Sequence, residues 1–286
     1  AQGIPVGPFE GIEATEIGGD LIVQGRGEIP EQEFNDVEIE GDLTVGEIGP
    51  ATLSLTNQAA VSANNVYIAG GDGGSVDVLI DNSILEATQS VFIGETDDKE
   101  NVLGSAEVTL NDGNIDAEEF ITERGSTLQG TGLISATIII VPSTVSPGLV
   151  LDEVKAAQPH FILDKIIELK LTKQTDTIGT MTFDGDATFD GAVFNLEARG
   201  ASDFDRIAVT GDATLLNATV NLSLLDGYMP DTGDTIAFFD VAGELTMENV
   251  TLNVQGADPD AEFEFMTGAD GLMIRTTDDG QPDGEG

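Results

Sequence analysis

Two acidic pairs have the residue types and spacing for chemistry: Asp203 with Asp205 in "DFDR", and Asp97 with Asp98 in "ETDDKE". An inverting glycosidase needs two carboxyls several ångströms apart, one to protonate the leaving oxygen and one to activate water. With 53 Asp and Glu among 286 residues, however, close acidic pairs arise by chance. Asp97, Asp98 and Glu100 also gather oxygen donors of the kind Ca²⁺ takes, and a solvated loop tip accounts for the same run. The single histidine, His160, would need a positioned partner to act as a general base, and no pattern supplies one. A loop or packing histidine is the plainer reading. "GGDGGSVDV" (70–78) resembles the calcium-binding nonapeptide, but Ser75 stands where a ligand Asp belongs and the motif occurs once, as a Gly-rich turn would. Aromatic platforms for sugar are scarce: there is no Trp, and the tyrosines are Tyr67 and Tyr228. Tyr67 falls on an apolar stacking position shared with Phe92, and most of the thirteen Phe fit a core.

The charge narrows the partners. Fifty-three acidic against ten basic residues give a formal −43, which repels nucleic acid and anionic lipid headgroups. It also opposes self-association unless salt or a divalent cation screens it, so a saline or calcium-containing setting is expected, with calcium as the one cofactor the composition suggests. There is no cysteine, so neither disulfides nor thiolate-bound metal hold the fold. The longest apolar stretch, "LISATIIIVPSTV", is too short and too β-branched for a membrane-spanning helix. The beginning at "AQG" fits removal of a signal peptide and hence an extracellular or cell-surface place, and trimming of the chain would leave the same start.

The elements that would position any site come from repeats. "LSLTNQAAVSANNVYI" (53–68) aligns without a gap on "VLIDNSILEATQSVFI" (78–93), twenty-five residues on, placing Leu53 on Val78, Leu55 on Ile80, Asn57 on Asn82 and Val66 on Val91. A third copy follows at 108–121. "IGGDLIV" (17–23) recurs as "IEGDLTV" (39–45), and "GDATF" (185–189) as "GDATL" (211–215). That second match puts Phe183 over Val209, Phe189 over Leu215, Phe194 over Val220 and Leu196 over Leu222, with Asn195 over Asn221 as an amide ladder. Each copy consists of short β-branched runs with period-two alternation, punctuated by Gly, Asn and Asp. A period in the low to middle twenties, holding about three short strands, fits one coil of a parallel β-helix.

The expected fold is therefore all-β: a right-handed parallel β-helix (β-solenoid), its hand taken from the general rule for parallel crossovers. Ten or eleven coils make a rod roughly 50 Å long at the spacing between strands. A β-sandwich is the rival architecture, and the less regular C-terminal third is expected to end in a sandwich-like cap. The chain divides into N-terminal coils (1–150), an insertion (151–176), and C-terminal coils with the cap (177–286).

"STLQGTGLISATIIIVPSTVSPG" (126–148) resembles the repeat of autotransporter passenger regions and related secreted bacterial β-helix proteins, in which a G-T-G strand precedes a strand ending in S-P-G. Residues 203–239 resemble the segment that follows it. The resemblance implies a secreted or surface-displayed right-handed β-helix and no catalytic residues. The sequence departs from the family pattern in showing no C-terminal translocator barrel, and in the insertion.

That insertion holds four of the ten basic residues, Lys155, Lys165, Lys170 and Lys173, beside His160, Phe161, Ile162, Ile166, Ile167 and Leu169. Such a segment could dock on the negative flank of a neighbouring molecule, or pack on its own solenoid as a lid or short amphipathic helix. The two ends of a solenoid expose strands that can pair with further strands. The expected function is thus a secreted, non-catalytic structural protein that self-assembles into a filament, sheath or surface layer. Its contacts would be the insertion and the N-terminal stretch with Ile4 and Phe9. An adhesin binding a glycan or another cell is the alternative, and a polysaccharide hydrolase or lyase the third. The partner expected is a second copy, with no nucleic acid and no membrane insertion.

Overall fold

A computed structural model describes residues 15–17, 20–23, 37–46, 50–56, 58–69, 75–96, 102–148, 178–268 and 271–281. They form a parallel β-solenoid whose strands stack on three faces. Among the described residues the first two coils contribute two strands each, β1 (Thr15–Ile17) with β2 (Leu21–Val23), and β3 (Val37–Ile39) with β4 (Leu43–Val45). The third and fourth are β5 (Ala51–Leu55) with β6 (Ala60–Ile68), and β7 (Ser75–Asp81) with β8 (Ile84–Ile93). A short antiparallel piece, β9 (Glu95–Thr96), precedes β10 (Val102–Thr122), which spans all three faces; β11 (Thr127–Ile140) is the next coil. Then β12 (Thr144–Pro147) and β13 (Thr180–Asp190) make one coil, with the insertion between them.

The eighth coil is β14 (Val193–Gly200), β15 (Asp203–Phe204), β16 (Arg206–Val209) and β17 (Ala213–Leu216). The ninth is β18 (Thr219–Leu224), β19 (Thr235–Val241) and β20 (Leu245–Glu248), and β21 (Thr251–Gln255) begins a tenth. The chain then leaves the parallel pattern. A hairpin of β22 (Glu262–Gly268) and β23 (Gly271–Asp278) pairs antiparallel within itself and, through β23, antiparallel with β19. The irregular C-terminal third thus ends in an antiparallel cap on the second face.

The register is the one the repeats dictate. On the first face Leu53, Val78, Val108, Leu128, Val145, Phe194, Val220 and Leu252 stand in one unbroken column. On the second, Val61, Leu85, Ile115, Ile134, Phe183, Val209 and Val241 do the same. On the third, the column runs from Leu21 through Leu43, Val66, Val91, Phe120, Ile139, Ala187 and Ala213 to Leu245. The columns continue past the insertion, so the coils on either side of it belong to one stack. Alternate side chains point inward because a strand has period two, and stacking like residues at one rung spacing builds a continuous apolar interior. A cluster of Phe183, Phe189, Phe194 and Phe239 fills the core of the C-terminal half, with ring centroids 5.2–5.7 Å apart in edge-to-face contacts.

The repeated Gly-Asp pairs make the corner between the second and third faces. The Asp186 carboxylate accepts the backbone N–H of Asp212 at 2.9 Å, and Asp212 accepts that of Glu244 at 2.7 Å. The same device operates near the N-terminus, where Asp20 accepts from Asp42 N–H and Asp42 from Asn65 N–H, each at 3.1 Å. Glycine precedes these residues because the backbones nearly touch: a Cβ on Gly211 would lie 2.6 Å from the Gly185 carbonyl oxygen. Amide ladders run alongside. Asn221 donates to Asn195 and Asn253 to Asn221, both at 2.9 Å, as the stacking of Asn195 and Asn221 predicts.

Candidate functional site

Four successive excursions in the C-terminal half leave the solenoid at one corner. In four successive coils the chain between the first-face and second-face strands is long: 148–179, 200–206, 224–235 and 255–262. The first holds the lysine-bearing insertion, and its base is closed tightly. Gly130 and Gly148 exchange backbone hydrogen bonds of 2.9 and 3.1 Å, and a Cβ on Gly179 would lie 2.7 Å from the Gly148 nitrogen. The chain therefore departs and returns at nearly the same point.

One buried carboxylate secures that point. Asp205 is 2% exposed; its Oδ1 accepts Gly179 N–H at 2.8 Å and its Oδ2 accepts Glu197 N–H at 2.9 Å. Its own N–H donates to the Glu197 carbonyl at 2.8 Å. Burial pushes its pKa from the usual 3.8 up to about 7; the two N–H donors and Arg199 oppose this, and the Glu197 charge adds to it. Asp203, its partner in the glycosidase reading, is exposed. The pair therefore does not present two free carboxyls to a sugar, and Asp205 has a structural task that spacing alone did not reveal.

The C-terminal end of the stack is where core residues lie partly open. Ala213, Leu215, Val220 and Leu222 are 0–1% exposed, whereas Leu245, Met247, Leu252 and Val254, the next in the same columns, are half-buried. At the first described coil Leu21 and Val23 are 2% and 3% exposed. The expectation of two open ends thus holds, among the described residues, for the C-terminal one. Phe263 and Phe265 of the hairpin, also half-buried, pack against the buried core, Phe265 with its ring centroid 6.4 Å from that of Phe238. A cavity of about 330 Å³ remains, lined by Leu252, Val254, Ala257, Asp258, Pro259, Ala261 and Phe263. Among the described residues no strand pairs with the outer edges of β20 and β21.

The other candidates fall as follows. Lys155, His160, Phe161, Lys165, Lys170, Lys173, Ile4, Phe9, Asp97, Asp98 and Glu100 lie outside the described residues. Ser75 opens β7 and is exposed. Tyr67 and Phe92 stack with centroids 5.4 Å apart and planes 5° from parallel. Their faces are spent on each other along the stack, which suits a ladder better than a sugar platform. Among the described residues no three His, Asp or Glu side chains gather to hold a metal ion, and no helix is long and apolar enough to cross a membrane.

The chain matches no protein-family model and no curated protein. Its function is therefore to be read from the corner excursions and the open end.

Proposed function

We propose that this chain is a secreted, non-catalytic structural protein that assembles with copies of itself into an extracellular filament, sheath or surface layer. The observation that carries this reading is the C-terminal end, where half-buried core residues and unpaired strand edges sit together. Apolar columns that are buried through the preceding coils end there on Leu252 and Val254, which are half-buried and with which, among the described residues, no further rung pairs. Edges of this kind pair with further strands unless they are blocked. The resemblance of 126–148 to passenger-type β-helix repeats supports a place outside the cell, and the charge supports a setting where ions screen it. The segment 151–176, whose Lys165, Lys170 and Lys173 cluster toward its second half, is the proposed second contact, and Asp205 holds Gly179 just beyond it.

Negative-stain microscopy and sedimentation velocity of the purified chain, across salt and with and without calcium, test the proposal. Oligomers or filaments that appear as charge is screened are expected. A monodisperse monomer under every condition would overturn it, and binding of that monomer to glycan or cells would favour the adhesin reading.

A further inference from the structure

We infer that the free edge of β21 is a strand-acceptor site, and that its occupant is the Lys165–Lys173 stretch of a second copy of this chain. The inference deepens the assembly reading and rests on it. The acceptor has the two features that strand addition uses, an unpaired edge and an adjoining pocket for alternate side chains. Leu252 and Val254 point from β21 toward the core, half-buried, and the 330 Å³ cavity beside them continues their apolar surface to Phe263.

Charge identifies what fits. Glu248 lies just before β21, and Asp258, Asp260, Glu262 and Glu264 lie just after it, all exposed but the half-buried Asp258. Between Arg206 and Arg275 the chain has no Lys, Arg or His. An acidic rim around an apolar floor selects a strand with apolar residues at alternate positions and basic residues at its ends. The sequence K-I-I-E-L-K-L-T-K at 165–173 has that pattern: Ile167, Leu169 and Leu171 alternate with Glu168, Lys170 and Thr172, and Lys165 and Lys173 flank them. Two of the three apolar residues meet Leu252 and Val254, and the flanking lysines fall where Glu248 and Asp258 border the two ends of the five-residue β21. Because the stretch comes from the side of one molecule and the edge is at the end of another, the contact is heterologous. It propagates into a chain instead of closing as a dimer.

Three variants test this by sedimentation at a salt concentration where the full chain associates. Deletion of 151–174 removes the donor, and Leu252→Lys with Val254→Lys spoils the acceptor. Ile167→Asp with Leu169→Asp spoils the donor and leaves the sequence of every solenoid strand unchanged. Each alone should associate about tenfold more weakly or not at all. Mixing the deletion variant, which keeps an edge, with the acceptor variant, which keeps a donor, should restore a one-to-one pair and nothing larger. Unchanged assembly by the deletion or the Ile167/Leu169 variant, with the full chain assembled, overturns the inference and leaves the assembly reading standing. So does a mixture that forms no pair. Stronger association of the deletion variant than of the full chain, the mark of a stretch that docks on its own edge, also overturns it. A full chain that never assembles defeats the broader reading instead.

Discussion

The Asp212 carboxylate accepts the Glu244 backbone N–H at 2.7 Å, one rung beyond the Asp186 carboxylate that accepts the Asp212 N–H at 2.9 Å. Asp212 therefore holds the next coil and is held by the previous one. The bond is charge-assisted, of a class that contributes about 1.5–3 kcal/mol, and exposure at this corner places it toward the low end. Asp212→Ala should lower the unfolding free energy by about 1–2 kcal/mol. Gly211→Ala should cost more, since its Cβ would sit 2.6 Å from the Gly185 carbonyl oxygen and force two coils apart. Chemical denaturation of both variants checks the order, and a Gly211→Ala protein as stable as the parent would refute the account of the corner.

Asp205 gives a pH dependence of known sign. Its folded-state pKa of about 7 lies above the usual 3.8, so the fold favours the protonated acid. Its contribution to stability is fully present below about pH 4 and is lost as pH rises through about 7. Asp205→Asn has no such titration. The stability difference, variant minus parent, should therefore become more favourable to the variant between about pH 4 and 7. Denaturation at several pH values in that window measures it, and parallel curves would show that Asp205 does not titrate there.

Phe189 meets Phe183, Phe194 and Phe239 in edge-to-face contacts at 5.3, 5.2 and 5.7 Å and is fully buried. Phe189→Ala should destabilise the C-terminal coils by about 3–5 kcal/mol through lost burial and the cavity left behind. Hydrogen exchange should show faster opening of 180–241 than of 51–122, because stability in a solenoid is nearest-neighbour.

Asn221 sits mid-ladder, donating to Asn195 and accepting from Asn253. Asn221→Ala breaks both bonds at an exposed site, and the cost should be about 1 kcal/mol, read as a small shift in denaturation midpoint.

Removing 151–174 should leave the solenoid folded. Gly148 and Gly179 already lie against each other, so the shortened loop spans no gap. Far-ultraviolet circular dichroism and the melting transition should match the parent, and loss of the strand signal would mean that the segment is part of the fold.

Much of this was legible in the sequence for one physical reason. In a parallel solenoid the contact between coils is made by equivalent positions of successive repeats, so aligning Leu53 with Val78, or Asn195 with Asn221, already pairs the neighbours. Inward and outward residues separate by period two, and the apolar columns follow from the repeat alignment alone. The Gly-Asp corner was visible as a repeat, and only the backbone N–H groups facing each carboxylate gave it a purpose.

What tertiary structure alone decided is everything that does not repeat. The twenty-six-residue repeat already places Asp205 over Gly179 in the coil before; Asp205 became an anchor because the chain also turns back there to set the Glu197 N–H against its other carboxylate oxygen, a contact no periodicity encodes. Among the described residues the antiparallel cap leaves β21 paired on one edge alone, because β23 pairs with β19 and β22 and not with β21. Repetition fixes the stack, since each coil sees the same surroundings as the last; its corner and its end are set by packing between segments that have no counterpart elsewhere in the chain.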